Sequence, residues 1–321
     1  MNLKQLLRGL PREWASLNAP LKIAYGPLDD LGLELYIKRE DLLHPALSGN
    51  KIYKLHGHLM EAARQGASAI VSFGGYYSNH LHALAAVGEA LGIQTIGVVR
   101  GHRPTQLSPT LQDCVNWGMR LEFVSRKEYA HAAAAGDMSG LSSEFAQAYV
   151  VPEGGAGRCG AVGCGPIISA LRRCLDLEQS TLCIACGTGT TLAGLLAESR
   201  DGEHILGFAS LKLGRRNQEY RTTIKKMLGR QTGIADWDLV EEFHCGGFGR
   251  VSKDLLKFIR EFESITGIPL DPVYTGKMLY GIVQLAGRGY WPRGHRVVAI
   301  HTGGLQGRRG YPEISDRQEG L

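Results

Sequence analysis

No window of the 321-residue chain approaches the ~18 consecutive apolar residues that a membrane-spanning helix needs, so the sequence predicts no membrane segment. The start, MNLKQLLRGLPREW, lacks a sustained apolar stretch followed by a small-residue cleavage site and predicts no secretory signal. Aromatic residues are only 7% of the chain, and no basic run is interleaved with them, which argues against a nucleic-acid partner. The excess charge is small, +5 with a pI near 8.8, enough for a weak attraction to anionic small molecules and no more. Cysteine is sparse and odd in number, at seven, which fits a reducing cytoplasm better than a disulfide framework. Cys159 and Cys164 have no His/Cys partners at zinc spacing, so no metal site is expected. Cys183 and Cys186 form a C-x-x-C inside STLCIACGTG, but on a strand positions three apart face opposite ways, so a redox pair is not expected.

Glycine is abundant, at 43 residues, and clustered, which implies tight turns and places where backbone approaches a ligand. Between the clusters, short apolar runs alternate with helical patterns. ELYIKRED, AIVSFGG, TIGVVRG, RLEFVS and YVVPEGG read as strands or their ends; KIYKLHGHLMEAARQG, NHLHALAAVGEALG and SPTLQDCVNWG read as helices. The second half repeats the habit with TLCIACGTGTT, LAGLLAES and ILGFASLKL, then a long polar helical region. A last strand, RVVAIHTGG, leads into a charged tail expected to fray from about Arg308. Buried strands alternating with helices predict an α/β fold of open twisted parallel sheets with helices on both faces, and the length suggests about two domains. The glycine-dense EGGAGRCGAVGCG is the best candidate for a hinge, and no internal repeat is present.

In open α/β sheets ligands bind at the carboxyl ends of strands, and three such corners carry unusual chemistry. In CGTGTTLAG, Gly187-Thr188-Gly189-Thr190-Thr191 opens a helix, where small residues let backbone N–H groups converge on an anion. The loop fits a single phosphate better than a triphosphate, or is a plain tight turn. In FGGYYSNHLHAL, Ser78, Asn79 and His80 mark a loop-to-helix transition, as ligand contacts or as a helix cap. His80 and His82 cannot share one helix face, which argues against a two-histidine metal site. In AIHTGG, Thr302 ends a strand before two glycines, by default a turn. Lys51 follows Gly49-Asn50 at the start of an amphipathic helix, with Lys54 three residues on; a solvated surface lysine is the plain reading. An amine beside a turn, an anion cup and several polar strand ends together fit pyridoxal 5'-phosphate, which needs a lysine to join as a Schiff base, a phosphate site and a partner for its ring nitrogen.

KREDLLHPALSGNKIYKL, SNH before an Ala-rich helix, CGTGTTLAGL, DPVYTGKMLYG and IHTGG resemble, in order and spacing from about residue 15 to 307, the 1-aminocyclopropane-1-carboxylate deaminase / D-cysteine desulfhydrase family. The resemblance implies the tryptophan-synthase-β type of fold, with a large cofactor domain from 1–52 and 159–321 and a small domain, 53–158, inserted in it. It implies that Lys51, not Lys54, carries the cofactor and that Asn79 bonds the ring 3-oxygen. Gly187, Thr188, Gly189, Thr190 and Thr191 would hold the phosphate, without a cationic side chain, and Ser78 and Tyr274 would lie at the substrate. Relative to the family, Tyr77 replaces a frequent Gln, and Ala156-Gly157 replace a frequent Ser-Asn. Thr275 and Thr302 stand where the deaminases tend to carry Glu and Leu, and either is a candidate partner for the pyridine nitrogen.

A hydroxyl there supplies no charge, which weakens the ring as an electron sink. The expected activity is therefore a pyridoxal-phosphate-dependent α,β-elimination on a small amino acid, most like D-cysteine desulfhydrase. The rivals are the cyclopropane deaminase, a racemase or β-replacement enzyme and, outside enzymes, a non-turnover sensor. A cytoplasmic homodimer is expected.

Overall fold

The computed structural model describes residues 3–47, 49–135, 147–229 and 235–315. Its strands, among the described residues, are β1 (Leu21–Ile23), β2 (Glu34–Arg39), β3 (Ala69–Gly74), β4 (Gln94–Arg100), β5 (Arg120–Val124), β6 (Ala148–Val151), β7 (Ser180–Cys186), β8 (His204–Ala209), β9 (Asp236–Val240) and β10 (Arg296–His301). They form two sheets, one in the order β1-β2-β10-β7-β8-β9 and one in the order β5-β4-β3-β6. Every pairing is parallel except that of the three-residue β1 with β2.

Burial explains the layout. Every residue of AIVSFG in β3 and of STLCIAC in β7 is buried, as a strand covered on both faces requires. The outermost strand β9 instead presents Asp236 and Asp238 to solvent, charges that discourage edge-to-edge pairing. Cys183 and Cys186 belong to different apolar clusters, on opposite faces of the large sheet, as their spacing on a strand demands. All seven cysteines are free.

The helices cover these faces and start where their capping residues stand. Ser78 accepts from Leu81 N at 3.2 Å to open Asn79–Leu91, which ends on Gly92 in the left-handed conformation. Ser108 does the same for Pro109–Asn116, with proline at the first position. Most of the glycine-dense stretch expected to be a hinge is helical: Arg158–Cys164 packs directly on Lys51–Arg64. A Cβ on Gly57 would overlap the carbonyl of Cys159, and one on Gly163 would overlap that of Tyr53, so the glycines permit backbone-to-backbone contact.

Two expectations are corrected. The polar region after β8 is not one long helical run, because β9 separates Asn217–Leu228 from Lys253–Thr266; its alternating exposure is weak, as at most sheet edges. Nor does the chain fray at Arg308. That side chain is buried, pairs with Glu263 and donates to the carbonyls of Leu270 (2.6 Å) and Ile314 (2.9 Å). Residues 316–321 lie outside the described residues.

Candidate active site

The carboxyl ends of β3, β4, β6, β7 and β10 all lead into residues that line one cleft of about 720 Å3: Gly75, Arg100, Glu153, Gly187 and Thr302. Lys51, Ser78, Asn79, Gly187, Thr188, Gly189, Thr190, Thr191, Tyr274 and Thr302 line it as well, so all the expected site residues but one converge there. The exception is Thr275. It is fully buried, and its hydroxyl donates to Asp271 Oδ1 at 2.6 Å instead of reaching the cleft.

Lys51 opens its helix, and its Nζ donates to Asn50 Oδ1 at 2.8 Å. Burial, then the charge of Lys54, lowers the Lys51 pKa to about 7, so much of the amine is unprotonated and nucleophilic at neutral pH. The other end of the Asn50 amide donates to Thr191 Oγ1 at 2.8 Å, tying the lysine's turn to the glycine-threonine loop. Behind that turn, Tyr53 donates to a buried Glu40 at 2.6 Å, and Glu40 faces Lys38 at 2.7 Å. Burial raises the Glu40 pKa, partly opposed by Lys38.

Three further cleft-lining groups, outside the expected site set, shape its electrostatics. Lys54 is buried, with its pKa lowered by desolvation, and its Nζ lies 3.5 Å from the Gly154 carbonyl. Its position three residues after Lys51 puts both on one helix face, a signal the sequence did contain. His80 is also buried. Ser72 Oγ donates to Val151 O, so it accepts from His80 Nε2–H, which fixes the tautomer and leaves Nδ1 unprotonated and without a hydrogen bond. Burial, then the charge of Lys51, pushes the His80 pKa well below its ordinary value and keeps the ring neutral. Asp271 accepts from the backbone N–H groups of Val273, Tyr274 and Thr275 and from the Thr275 hydroxyl, and so holds the start of the helix Thr275–Gly287 beside the cleft.

The glycine-threonine loop has the form of an anion cup. Gly189 has φ +76 and stands at the N-terminus of Thr190–Ala197, whose first N–H groups have no partner within the helix. The hydroxyls are largely committed: Thr190 donates to Met227 Sδ at 3.7 Å and accepts from Thr188 at 2.9 Å. Backbone donors are therefore the loop's main offer to an anion. On the opposite wall Ser78, although it is the helix cap, also borders the cleft, and the Asn79 carboxamide accepts from Gln306 Nε2. Thr302 follows β10, and its carbonyl accepts from Asn50 N at 3.2 Å. Gly49, with φ +71, allows this approach, since any Cβ there would overlap that carbonyl.

Residues 17–303 match the family model described as "Pyridoxal-phosphate dependent enzyme". The chain belongs to that family. Over 327 residues it is 30% identical to the bifunctional D-cysteine desulfhydrase/1-aminocyclopropane-1-carboxylate deaminase, mitochondrial, of Arabidopsis thaliana, covering 94% of this chain and 80% of that protein. Over 309 residues it is 27% identical to a D-cysteine desulfhydrase of Salmonella schwarzengrund, covering 90% and 92%. A crystal structure of an ACC deaminase homologue superposes with a TM-score of 0.76 at 28% identity, covering 97% of this chain and 98% of that one. The chain is thus a pyridoxal-phosphate-dependent enzyme of the tryptophan-synthase-β-like fold.

The site fits the cofactor. A lysine with a lowered pKa, an anion cup with the Lys54 amine in the same cleft, and the polar side chains of Asn79 and Thr302 meet the needs of an aldehyde, a phosphate and a substituted pyridine.

Proposed function

We propose that this enzyme catalyses α,β-elimination from a small amino acid bearing sulfur on its β-carbon, with D-cysteine the first choice among free thiols, giving pyruvate, ammonia and, from D-cysteine, sulfide. In this reading Lys51 carries the cofactor, Asn79 meets the ring 3-oxygen, the loop 187–191 holds the phosphate and Thr302 meets the ring nitrogen. When bound, pyridoxal phosphate supplies a ring that withdraws electrons from the substrate's α-carbon. Lys51, with a substantial unprotonated fraction near pH 7, takes the α-proton. Ser78 orients the substrate through its hydroxyl. Burial raises the Tyr274 pKa, so its phenol keeps its proton and donates to the departing sulfur.

One observation carries the choice of reaction. The only carboxylates among the described residues lining the cleft are Asp271, saturated by four donors, and Glu153, which is exposed, while Thr302 offers a neutral hydroxyl. A site without a free carboxylate for the ring nitrogen favours a reaction whose leaving group takes the electrons, as a thiolate does, over opening of a cyclopropane. The purified enzyme should release sulfide and pyruvate from D-cysteine and turn over 1-aminocyclopropane-1-carboxylate at least tenfold more slowly; comparable rates would overturn the reading. Borohydride reduction followed by peptide mapping should place the pyridoxyl label on Lys51, and a label on Lys54 would reverse the assignment.

The same reading takes residues 53–158 as the small lobe inserted in a large cofactor domain, the enzyme as a homodimer and its location as the cytoplasm. In support, the strands within 53–158 make a sheet of their own, and all seven thiols are unpaired. No helix among the described residues is long and apolar enough to cross a membrane.

A further inference from the structure

We propose that the preferred substrate carries an aromatic-sized group on its β-sulfur, as in S-phenyl- or S-benzylcysteine, in place of the free thiol. This rests on the elimination reading above and names the substrate class of the same site.

Four aromatic side chains line the cleft as a belt, joined partly by ring contact and partly through neighbouring backbone. Tyr77, beside Ser78, lies flat on Gly310, where a Cβ would come within 3.2 Å of three of its ring carbons. The next residue, Tyr311, donates its hydroxyl to the Gly249 carbonyl at 2.9 Å. Phe248, adjoining Gly249, stands edge-on to Tyr274 with ring centres 6.0 Å apart. Tyr274 in turn lies against Gly187 of the anion cup, where a Cβ would be 3.0 Å from its Cε1. All four line the cleft. The belt therefore runs from the substrate corner to the cofactor cup.

The belt is held open. Phe248 is 56% exposed and Tyr77 41% exposed. Around Phe248, Cys245, Gly246, Gly247 and Gly249 all have positive φ, and for Cys245 that conformation is strained. Lys277 pins the loop from beneath, donating to Gly247 O at 2.8 Å and to Ser210 O at 3.2 Å. With three other aromatic side chains lining the same cleft, the phenylalanine held out by this loop offers an apolar face to a ligand. The side chain of cysteine is one methylene and one sulfur, too short to cover a surface that extends over four rings. A ring attached to the sulfur adds an apolar face that can pack against one or two of them.

The chemistry is the same elimination with a different leaving group. The α-proton passes to the Lys51 amine, and the Cβ–S bond breaks with its electron pair on sulfur. The thiolate takes a proton and leaves as an aryl or benzyl thiol. Water then hydrolyses the remaining enamine to pyruvate and ammonia, with no net oxidation or reduction.

The test compares kcat/KM for both enantiomers of S-phenylcysteine, S-benzylcysteine and cysteine on the holoenzyme. The expected result is at least a tenfold preference for an S-aryl or S-benzyl substrate over cysteine of the same configuration. Phe248→Ala and Tyr77→Ala should each reduce that ratio at least fivefold. Calorimetry with S-phenyl-α-methylcysteine, which has no α-proton to lose, should show binding that weakens at least fivefold in Phe248→Ala. Turnover of cysteine with no preference for the ring would overturn this inference and leave the elimination reading standing; no turnover of any thiol or thioether would sink that reading itself. If Phe248→Ala left the ratio unchanged but altered the oligomeric state, the belt would be a subunit contact and the proposal would fail.

Discussion

Lys51 and Lys54 show how far the sequence of this site can be read one residue at a time. The turn glycine and asparagine marked Lys51, but the neighbour that helps make it a nucleophile is Lys54, whose burial only the packed fold reveals. His80 could be read as part of a helix start, yet its fixed tautomer depends on Ser72 and Val151, from two other strands. Thr275 and Thr302 were equal candidates by position; of the two, Thr302 lines the cleft, while the Thr275 hydroxyl is bound by Asp271.

The lowered lysine pKa values have a stability consequence. Lys51, at about 7, and Lys277, lowered by burial to about 8, have both lost much of their protons in the folded apoprotein at pH 8.5, whereas the unfolded chain holds them until about 10.5. The unfolded state therefore binds more protons across this window, and stability rises with pH. Buried cysteines such as Cys164, raised to about 11, act the other way once unfolded thiols ionise near 9, which limits the rise at its upper end. Urea denaturation of the apoprotein should show greater stability at pH 8.5 than at pH 7. Lys51→Met should remove up to one proton's share of that slope, ~1.4 kcal/mol per pH unit at most. An identical slope in the variant would mean that Lys51 is charged in the folded protein.

At the scale of elements, the loop proposed to hold the phosphate offers an anion mainly its backbone. Gly189 needs its left-handed φ, and a side chain there would press on Ile224 and Tyr220. Gly189→Val should therefore release most of the cofactor on dialysis. Thr188→Ala, which removes one neutral hydrogen bond of about 0.5–1.5 kcal/mol, should weaken cofactor binding by no more than roughly tenfold. Absorbance of the dialysed proteins measures both, and full cofactor retention by Gly189→Val would put the phosphate elsewhere. Strands and helices in the first half were legible because their patterns end on strong local signals, such as the Ser78 and Ser108 caps and Gly92. The edge strand β9 was not, since a half-exposed DWDLV carries no clean alternation. Arg308 looked like part of a frayed tail because its partners Glu263 and Leu270 lie far earlier in the chain.

Across the whole molecule, the cleft draws its walls from the strand ends of both sheets, so a ligand that fills it bridges them. Binding to the folded state alone stabilises by RT ln(1 + [L]/Kd), about 2.7 kcal/mol at a hundredfold excess over Kd. The holoenzyme should accordingly melt several degrees above the apoprotein, and Lys51→Ala should lose most of that shift. Equal melting temperatures with and without cofactor, in calorimetry at fixed protein concentration, would contradict a site shared by the two sheets. The class of fold was legible from alternation alone. The order of the large sheet was not, because nothing local in RVVAIH says that it pairs with both β2 and β7.

That central placement of β10 governs when the enzyme can come into being. β10 follows the nine other described strands in the chain, yet it joins β2 to β7 and brings Thr302, whose carbonyl receives Asn50 beside Lys51. A nascent chain that already contains Lys51, the anion cup and the whole small sheet still lacks the middle of its large sheet. Capture of the cofactor therefore waits for the final strand, and an interrupted chain is left with an ordinary protonated lysine that has no site around it.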